Sequence, residues 1–238
     1  MFEKAVPYHI MSHAVEGKRI FINEEDSFRF VFQSYAANIG RPAFNLQRKD
    51  IKEAAYAILN GQEIPENFIT IEHSPLTYSL SFAYVGNHHH DILISNTDNG
   101  ISKYLQKLHT GFAKYFNLKY GHRTALFARK FKVVPVRTEA QLYAVVKYVN
   151  IKNPLDIYEP NWVSNGLRNR EEAINFLNNY QFSSLSDLTG KRNSKLLAPQ
   201  AILEQFLMRE IVGRDDCDKF VDDYLEEKLA SFKSFFLE

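Results

Sequence analysis

The stretch from Thr77 to Ser95 constrains the fold more than any other part of the chain. Tyr78-Ser79-Leu80-Ser81-Phe82-Ala83-Tyr84-Val85 and His88-His89-His90-Asp91-Ile92-Leu93-Ile94-Ser95 are two strand-like runs, and only Gly86-Asn87 separates them. A Gly-Asn pair in that position favours a tight connection between antiparallel strands, so a β-hairpin is predicted. Side chains alternate along a strand, which puts His88 and His90 on one face and His89 on the other. Two imidazoles on one face can bind a divalent ion if a third ligand comes from elsewhere. By itself the pattern more often marks strand histidines satisfied by backbone or water, or an exposed polar strand start.

The remaining elements follow from periodicity and capping. Ala5 to Ala14 reads as a strand. Asn23, followed by Glu24, Glu25 and Asp26, caps a helix that ends near Gly40. Asp50 to Asn60 reads as a short helix inside a polar excursion, 41–76. Asp98 or Asn99 caps a long amphipathic helix, whose apolar residues Ile101, Leu105, Leu108, Phe112 and Phe116 share one face and which ends near Gly121. A β-like run covers Ala125 to Val136. Thr138-Glu139-Ala140-Gln141 has capping-box form and opens a helix predicted to run through Tyr148 until Asn153-Pro154 stops it. Further helices are predicted over Arg170 to Tyr180, Pro199 to Val212 and Asp216 to the C terminus.

Charge divides the chain in the same place. The net formal charge of +1 over 238 residues suggests no partner. Residues 1–154 hold 19 Lys/Arg and 13 Asp/Glu, a net of +6, whereas 155–238 hold 10 and 15, a net of −5. Lys103 to Lys152 holds eleven basic residues and one acidic residue, Glu139. Aromatics are interleaved with those charges, which makes the stretch a candidate polyanion footprint rather than a solvated helix face. The single cysteine, Cys217, allows neither an internal disulfide nor a Cys-based zinc site, and a reducing cytoplasm is the expected compartment. No run approaches the roughly 18 apolar residues of a membrane helix.

Taken together, these motifs resemble the single-tyrosine HUH transposases, in particular the REP-associated tyrosine transposase branch. Asn87-His88-His89-His90-Asp91-Ile92 is similar to the family's histidine strand, and Tyr8-His9-Ile10-Met11 to its opening strand. Leu126-Phe127 with Arg129-Lys130-Phe131-Lys132 resembles a further strand, Tyr148 to Pro154 the Tyr-Ile-His-x-Asn-Pro helix end, and Phe182-Ser183-Ser184 with Gly190-Lys191-Arg192 the motif that follows it. Three departures stand out. His89 replaces a bulky apolar residue, the tyrosine-to-Asn-Pro spacing is one residue longer, and the 41–76 insertion exceeds the family's usual link.

The resemblance implies an α+β fold: a central antiparallel β-sheet of RRM or ferredoxin-like type, with the histidine strand in the middle and helices on one face. It implies an HUH nuclease domain over 1–154, with a helical C-terminal extension over 155–238. Its activity would be metal-dependent endonuclease and strand-transfer chemistry on single-stranded DNA, near hairpins. Tyr148 would be the catalytic nucleophile, and His88, His90 and Asn153 would hold Mg²⁺ or Mn²⁺. Arg123, Arg129, Lys130, Lys132 and Lys147 would meet phosphates, in a monomer or homodimer. The alternative is a domesticated nucleic-acid-binding protein that does not transpose.

Overall fold

The structure, a computed structural model, describes residues 2–42, 51–65, 68–206, 214–226 and 228–237. Its centre is the hairpin: β4 (Thr77–Val85) and β5 (His88–Ser95) pair antiparallel, with Val85 opposite His88 and Ala83 opposite His90. Gly86 turns the chain at φ 54°, a conformation glycine adopts without strain. A β-bulge lies between Ser79 and Ser81. On the other side of β5 runs β1 (Tyr8–His13), and beyond it β6 (Lys132–Pro135), giving a four-stranded sheet in the order β4-β5-β1-β6. The histidine strand is therefore internal.

Helices cover both faces of this sheet, not one as expected. Phe82, Tyr84, Leu93, Tyr8 and Ile10 share an apolar cluster with α1 (Glu24–Ile39) and α3 (Gly100–Tyr120). Leu80, Ala83, Val85, Ile92 and Ile94 form the second cluster, with Val145, Val149 and Leu155. The reason is the composition of β4: Leu80, Phe82, Ala83, Tyr84 and Val85 are apolar on both faces, and each face needs cover.

The capping signals act locally. Asn23 and Asp26 form a reciprocal capping box on α1, and Thr138 and Gln141 form another on α4 (Glu139–Lys147). Asn99 does precede α3, but it sits in the left-handed region and makes no side-chain capping bond. Gly121, at φ 68°, ends that helix.

The expected strand over Ala125 to Val136 is shorter. Met11 pairs with Lys132, a register that would place Arg129 opposite Ala14, yet Ala14 pairs with Phe127. The chain bows out between them and buries the Phe127 ring against His109, centroids 4.2 Å apart.

Nor does Pro154 end the helix that starts at Glu139. α4 passes into a π turn, Tyr148–Lys152, and then into α5 (Asn153–Tyr158). Pro154 falls in the first turn of α5, where a missing N–H is tolerated.

In the 41–76 insertion, β2 (Gly40–Pro42) pairs with β3 (Ile69–Ile71), and α2 (Ile51–Leu59) buries Ala54, Ala55 and Ile58 in the α1 and α3 cluster. After α5 come α6 (Trp162–Asn165), α7 (Arg170–Asn179) and α8 (Leu185–Leu188). α9 (Gln200–Phe206) and α10 (Arg214–Leu225) follow. The rest of the predicted 199–212 helix lies outside the described residues. The helix predicted from Asp216 onward is broken: a 3-10 turn, Ala230–Phe232, leads into a separate α11 (Lys233–Phe236).

The segment around Ser183 also covers the open edge of β4. The Tyr84 N–H donates to the Phe182 carbonyl, and the Ser184 N–H to the Phe82 carbonyl, each at 2.9 Å. No helix among the described residues is long and apolar enough to cross a membrane.

Candidate active site

The antiparallel register of β1 on β5 sets the first half of the site. Met11 lies opposite His90 and His9 opposite Ile92, so His9 is diagonal to His90 on the same face. His9 Nε2 and His90 Nδ1 are 2.8 Å apart. His88, two residues from His90, shares that face, and the two rings meet edge to face with centroids 5.0 Å apart.

The π turn supplies the second half. Leu142, Val145 and Val149 anchor α4 and the turn in the core, and Tyr148 is carried to the histidines. Its ring stands edge-on to His90 at 5.7 Å and to His9 at 6.1 Å. A regular α-helix places residue i+4 over residue i, which would be Lys152. The π turn closes one residue later: the Asn153 N–H bonds to the Tyr148 carbonyl, and the Asn153 side-chain amide bonds to the same oxygen at 3.2 Å. The Asn153 side chain also hydrogen-bonds His88. The extra residue between the tyrosine and the Asn-Pro pair is thus absorbed by a π turn. Lys152 remains close, with Nζ 5.5 Å from the Tyr148 ring centre.

A buried polar cluster holds the turn. Asn150, in its middle, donates from Nδ2 to Ser81 Oγ at 2.7 Å and to the Val146 carbonyl at 2.8 Å. Ser184 Oγ donates to Asn150 Oδ1 at 2.9 Å. The irregular turn of the helix is therefore tied to the bulge in β4 and to the segment after Phe182.

Most of the site is buried, and burial disfavours the charged form of its imidazoles. His9, His90, Tyr148 and Asn153 are all 1% exposed or less. Burial holds His9 down at about 4, against a weaker opposing pull from the Phe235 carbonyl. Burial likewise holds His88 at about 4 and pushes His90 well down. Over the site lies α11: Phe236 is stacked on Tyr148, and the Phe235 carbonyl meets His9 Nδ1 at 2.5 Å.

This donor set fits a divalent ion. Two neutral imidazoles have lone pairs to give, and an amide oxygen from Asn153 is a hard third donor. Among the described residues, no group of three or more His, Cys, Asp or Glu side chains is arranged to hold a metal.

His89 points the other way and is fully buried among Phe30, Tyr84 and Phe127. Its Nδ1 lies 2.6 Å from Asp91 Oδ2, and its Nε2 lies 2.9 Å from His109 Nε2. This polar chain, Asp91–His89–His109, is how the strand accommodates a histidine where the resembled family packs an apolar residue.

Of the residues expected to meet phosphates, Arg123, Arg129 and Lys130 are exposed on the loop between α3 and β6, and Lys132 begins β6. That loop is tied to the end of β1: the Ala128 N–H bonds to the His13 carbonyl, and His13 lies opposite His88. Lys147 is half-buried, directly before Tyr148. The sequence reading assigned no role to His9, Asn150 or Phe236. Alternation along β1 puts His9 on a definite face, but nothing local says that β1 lies beside β5. No local signal marks Phe236.

No protein-family model and no curated protein matches the chain. Among solved structures, a REP-associated tyrosine transposase bound to a REP hairpin is similar, with a TM-score of 0.45 and 11% identity over 84% of this chain and 89% of that one.

Proposed function

We propose that the protein is an HUH-type single-tyrosine nuclease and strand transferase that cuts single-stranded DNA beside a hairpin. The observation that carries this reading is the meeting of Tyr148, His88, His90 and Asn153 in one site, from a hairpin strand and a helix about sixty residues later. We read the four-stranded sheet as the RRM-like core of such enzymes, 1–154 as the catalytic unit and 155–238 as an extension.

The chemistry accounts for the residues. A free phenol has a pKa of about 10 and is a weak nucleophile at neutral pH, so positioning has to do much of the work. Tyr148 Oη attacks the scissile phosphorus, a 5′-phosphotyrosine bond forms, and the bond to the 3′-oxygen breaks. The tyrosine proton ends on the freed 3′-hydroxyl. A Mg²⁺ or Mn²⁺ ion held by His88, His90 and Asn153 would polarise the phosphate and neutralise its charge. Because the phosphotyrosine conserves the bond energy, the reverse attack by a new 3′-hydroxyl joins strands without ATP. Arg123, Arg129, Lys130, Lys132 and Lys147 would track the backbone of the strand.

The test is incubation with single-stranded and hairpin-flanked oligonucleotides and Mn²⁺, followed by denaturing electrophoresis. A protein–DNA adduct is expected. An adduct that persists in Tyr148→Phe, or after loss of both His88 and His90, sinks the mechanism.

A second reading is favoured by the 1% exposure of Tyr148 beneath α11. In that reading the protein is a domesticated nucleic-acid-binding descendant whose basic surface still works while Tyr148 stays covered. Salt-sensitive DNA binding without any adduct is its signature.

A further inference from the structure

We infer that His9 is a positioning residue for the metal pair: it fixes the tautomer of His90, so that Nε2 is the nitrogen left with a lone pair to give. The inference rests on the reading of His88 and His90 as ligands.

The argument runs from the C-terminal segment inward. The Phe235 carbonyl oxygen can only accept a hydrogen bond, and it lies 2.5 Å from His9 Nδ1. The proton of His9 is therefore on Nδ1. His9 is 0% exposed and His90 1% exposed. Among the described residues, the histidine paired with a carboxylate is His89, on the opposite face. A second proton on His9 would leave an imidazolium buried without a counter-charge among the described residues.

In the neutral ring Nε2 is bare, and it sits 2.8 Å from His90 Nδ1. Two bare nitrogens do not approach to that distance in a stable contact, so His90 Nδ1 carries the hydrogen and donates it. His90 is then neutral with its lone pair on Nε2. The order of donation, His90 to His9 to the Phe235 carbonyl, is the arrangement by which outer groups orient metal-binding imidazoles. Here a second histidine and a backbone carbonyl perform it, and the carbonyl belongs to α11. The face of β1 thus acts on the ligand strand through one hydrogen bond rather than by contact with substrate.

The experiment uses full-length protein with ¹⁵N-labelled histidines, free of metal and at neutral pH. Imidazole ¹⁵N shifts distinguish protonated from bare ring nitrogens. His90 is expected with a protonated Nδ1 and a bare Nε2, and His9 with a protonated Nδ1. In His9→Ala the His90 proton is expected to leave Nδ1 or to exchange between the two nitrogens. Mn²⁺ affinity, read by electron paramagnetic resonance, is expected to fall roughly 10- to 100-fold. His9→Gln, whose amide oxygen can accept from His90 Nδ1, is expected to recover most of that loss, as a merely space-filling role would not require.

A wild-type His90 protonated on Nε2 overturns the inference. So does equal Mn²⁺ affinity in wild type and His9→Ala, or an equal loss in the Gln and Ala variants. Should His9→Ala fail to fold, the wild-type tautomer and the Gln variant decide the matter. A protein that binds Mn²⁺ with the expected tautomer but forms no DNA adduct refutes the DNA-cutting reading and leaves this inference standing. One that binds no Mn²⁺ overturns both.

Discussion

Phe236 lies flat on Tyr148, with ring centroids 4.4 Å apart and planes 3° from parallel. Both rings are fully buried, so the phenol of Tyr148 meets α11 before it can meet a phosphate. The same short helix carries the carbonyl that bonds His9, and α11 therefore touches the site at two points.

The first prediction concerns this cover. Phe236→Ala removes the stacked ring, a change that costs about 3 kcal/mol where a ring is well packed. Because α11 is a short helix outside the sheet, the loss is expected to fall on its docking rather than on the sheet. Hydrogen exchange should rise at 230–237 while β5 stays protected. Adduct formation with single-stranded DNA and Mn²⁺ should rise several-fold, with water taking the place of the Phe235 carbonyl as acceptor for His9 Nδ1. A fall in adduct yield with unchanged protection of 230–237 would mean that Phe236 assists the reaction instead of covering it.

Asn150 gives the second prediction. Its amide bonds Ser81, Ser184 and the Val146 carbonyl, all out of contact with water. Asn150→Ala strands these groups and is expected to cost about 2–3 kcal/mol. The loss should appear as a lower urea midpoint with an unchanged slope. The π turn should also relax, loosening the hydrogen bond between Asn153 and His88. Its effect on adduct yield should then exceed that of an equally destabilising change in the other apolar cluster, such as Ile58→Ala. Equal adduct yields in the two variants at matched stability would leave the turn without a role at the site.

What the sequence could disclose depended on how local the determinant was. The β4–β5 hairpin, the Asn23 and Thr138 capping boxes and the stop at Gly121 are written within a few residues, and each is present. The contact of Tyr148 with His90 needs the sheet order, the π turn and the packing of Val145 and Val149 at once, and no window of sequence contains all three. Resemblance to known motifs brought those residues together where periodicity could not. Helices on both faces were legible in hindsight from β4, where Phe82 and Tyr84 point one way and Ala83 and Val85 the other. The 125–131 loop was missed because a buried Phe127 overrides the β pattern around it.

Acid sensitivity is the third prediction. His9 and His88 are held at about 4 in the folded chain, below the ordinary 6.5 that each regains on unfolding, and His90 and His109 shift the same way through burial. Between those values the unfolded chain binds more protons, so stability rises with pH. The sign is fixed: stability is full above pH 6.5 and falls as pH drops toward 4, by about 3 kcal/mol for His9 alone. Urea midpoints measured from pH 7.5 to 4.5 should decline across that window. The decline should be shallower in His9→Gln, and a flat profile in the wild type would refute the assignment of buried neutral histidines.

The last prediction separates His89 from the two histidines on the other face of β5. His89 and Asp91 are buried together with 2.6 Å between them, on the face away from Tyr148. His89→Leu removes the partner of a buried carboxylate and is expected to destabilise by about 3–5 kcal/mol. Replacing both residues, His89→Leu with Asp91→Leu, removes the stranded carboxyl and should recover part of that loss, because Phe30 and Phe127 flank position 89 while Ser34, Tyr84 and Tyr104 line the cavity beside position 91. Mn²⁺ affinity should match wild type in the double variant, since His88 and His90 keep their own face. If the double variant is no more stable than His89→Leu, Asp91 is held by groups other than His89. If Mn²⁺ affinity falls with it, the two faces of β5 are coupled through the strand.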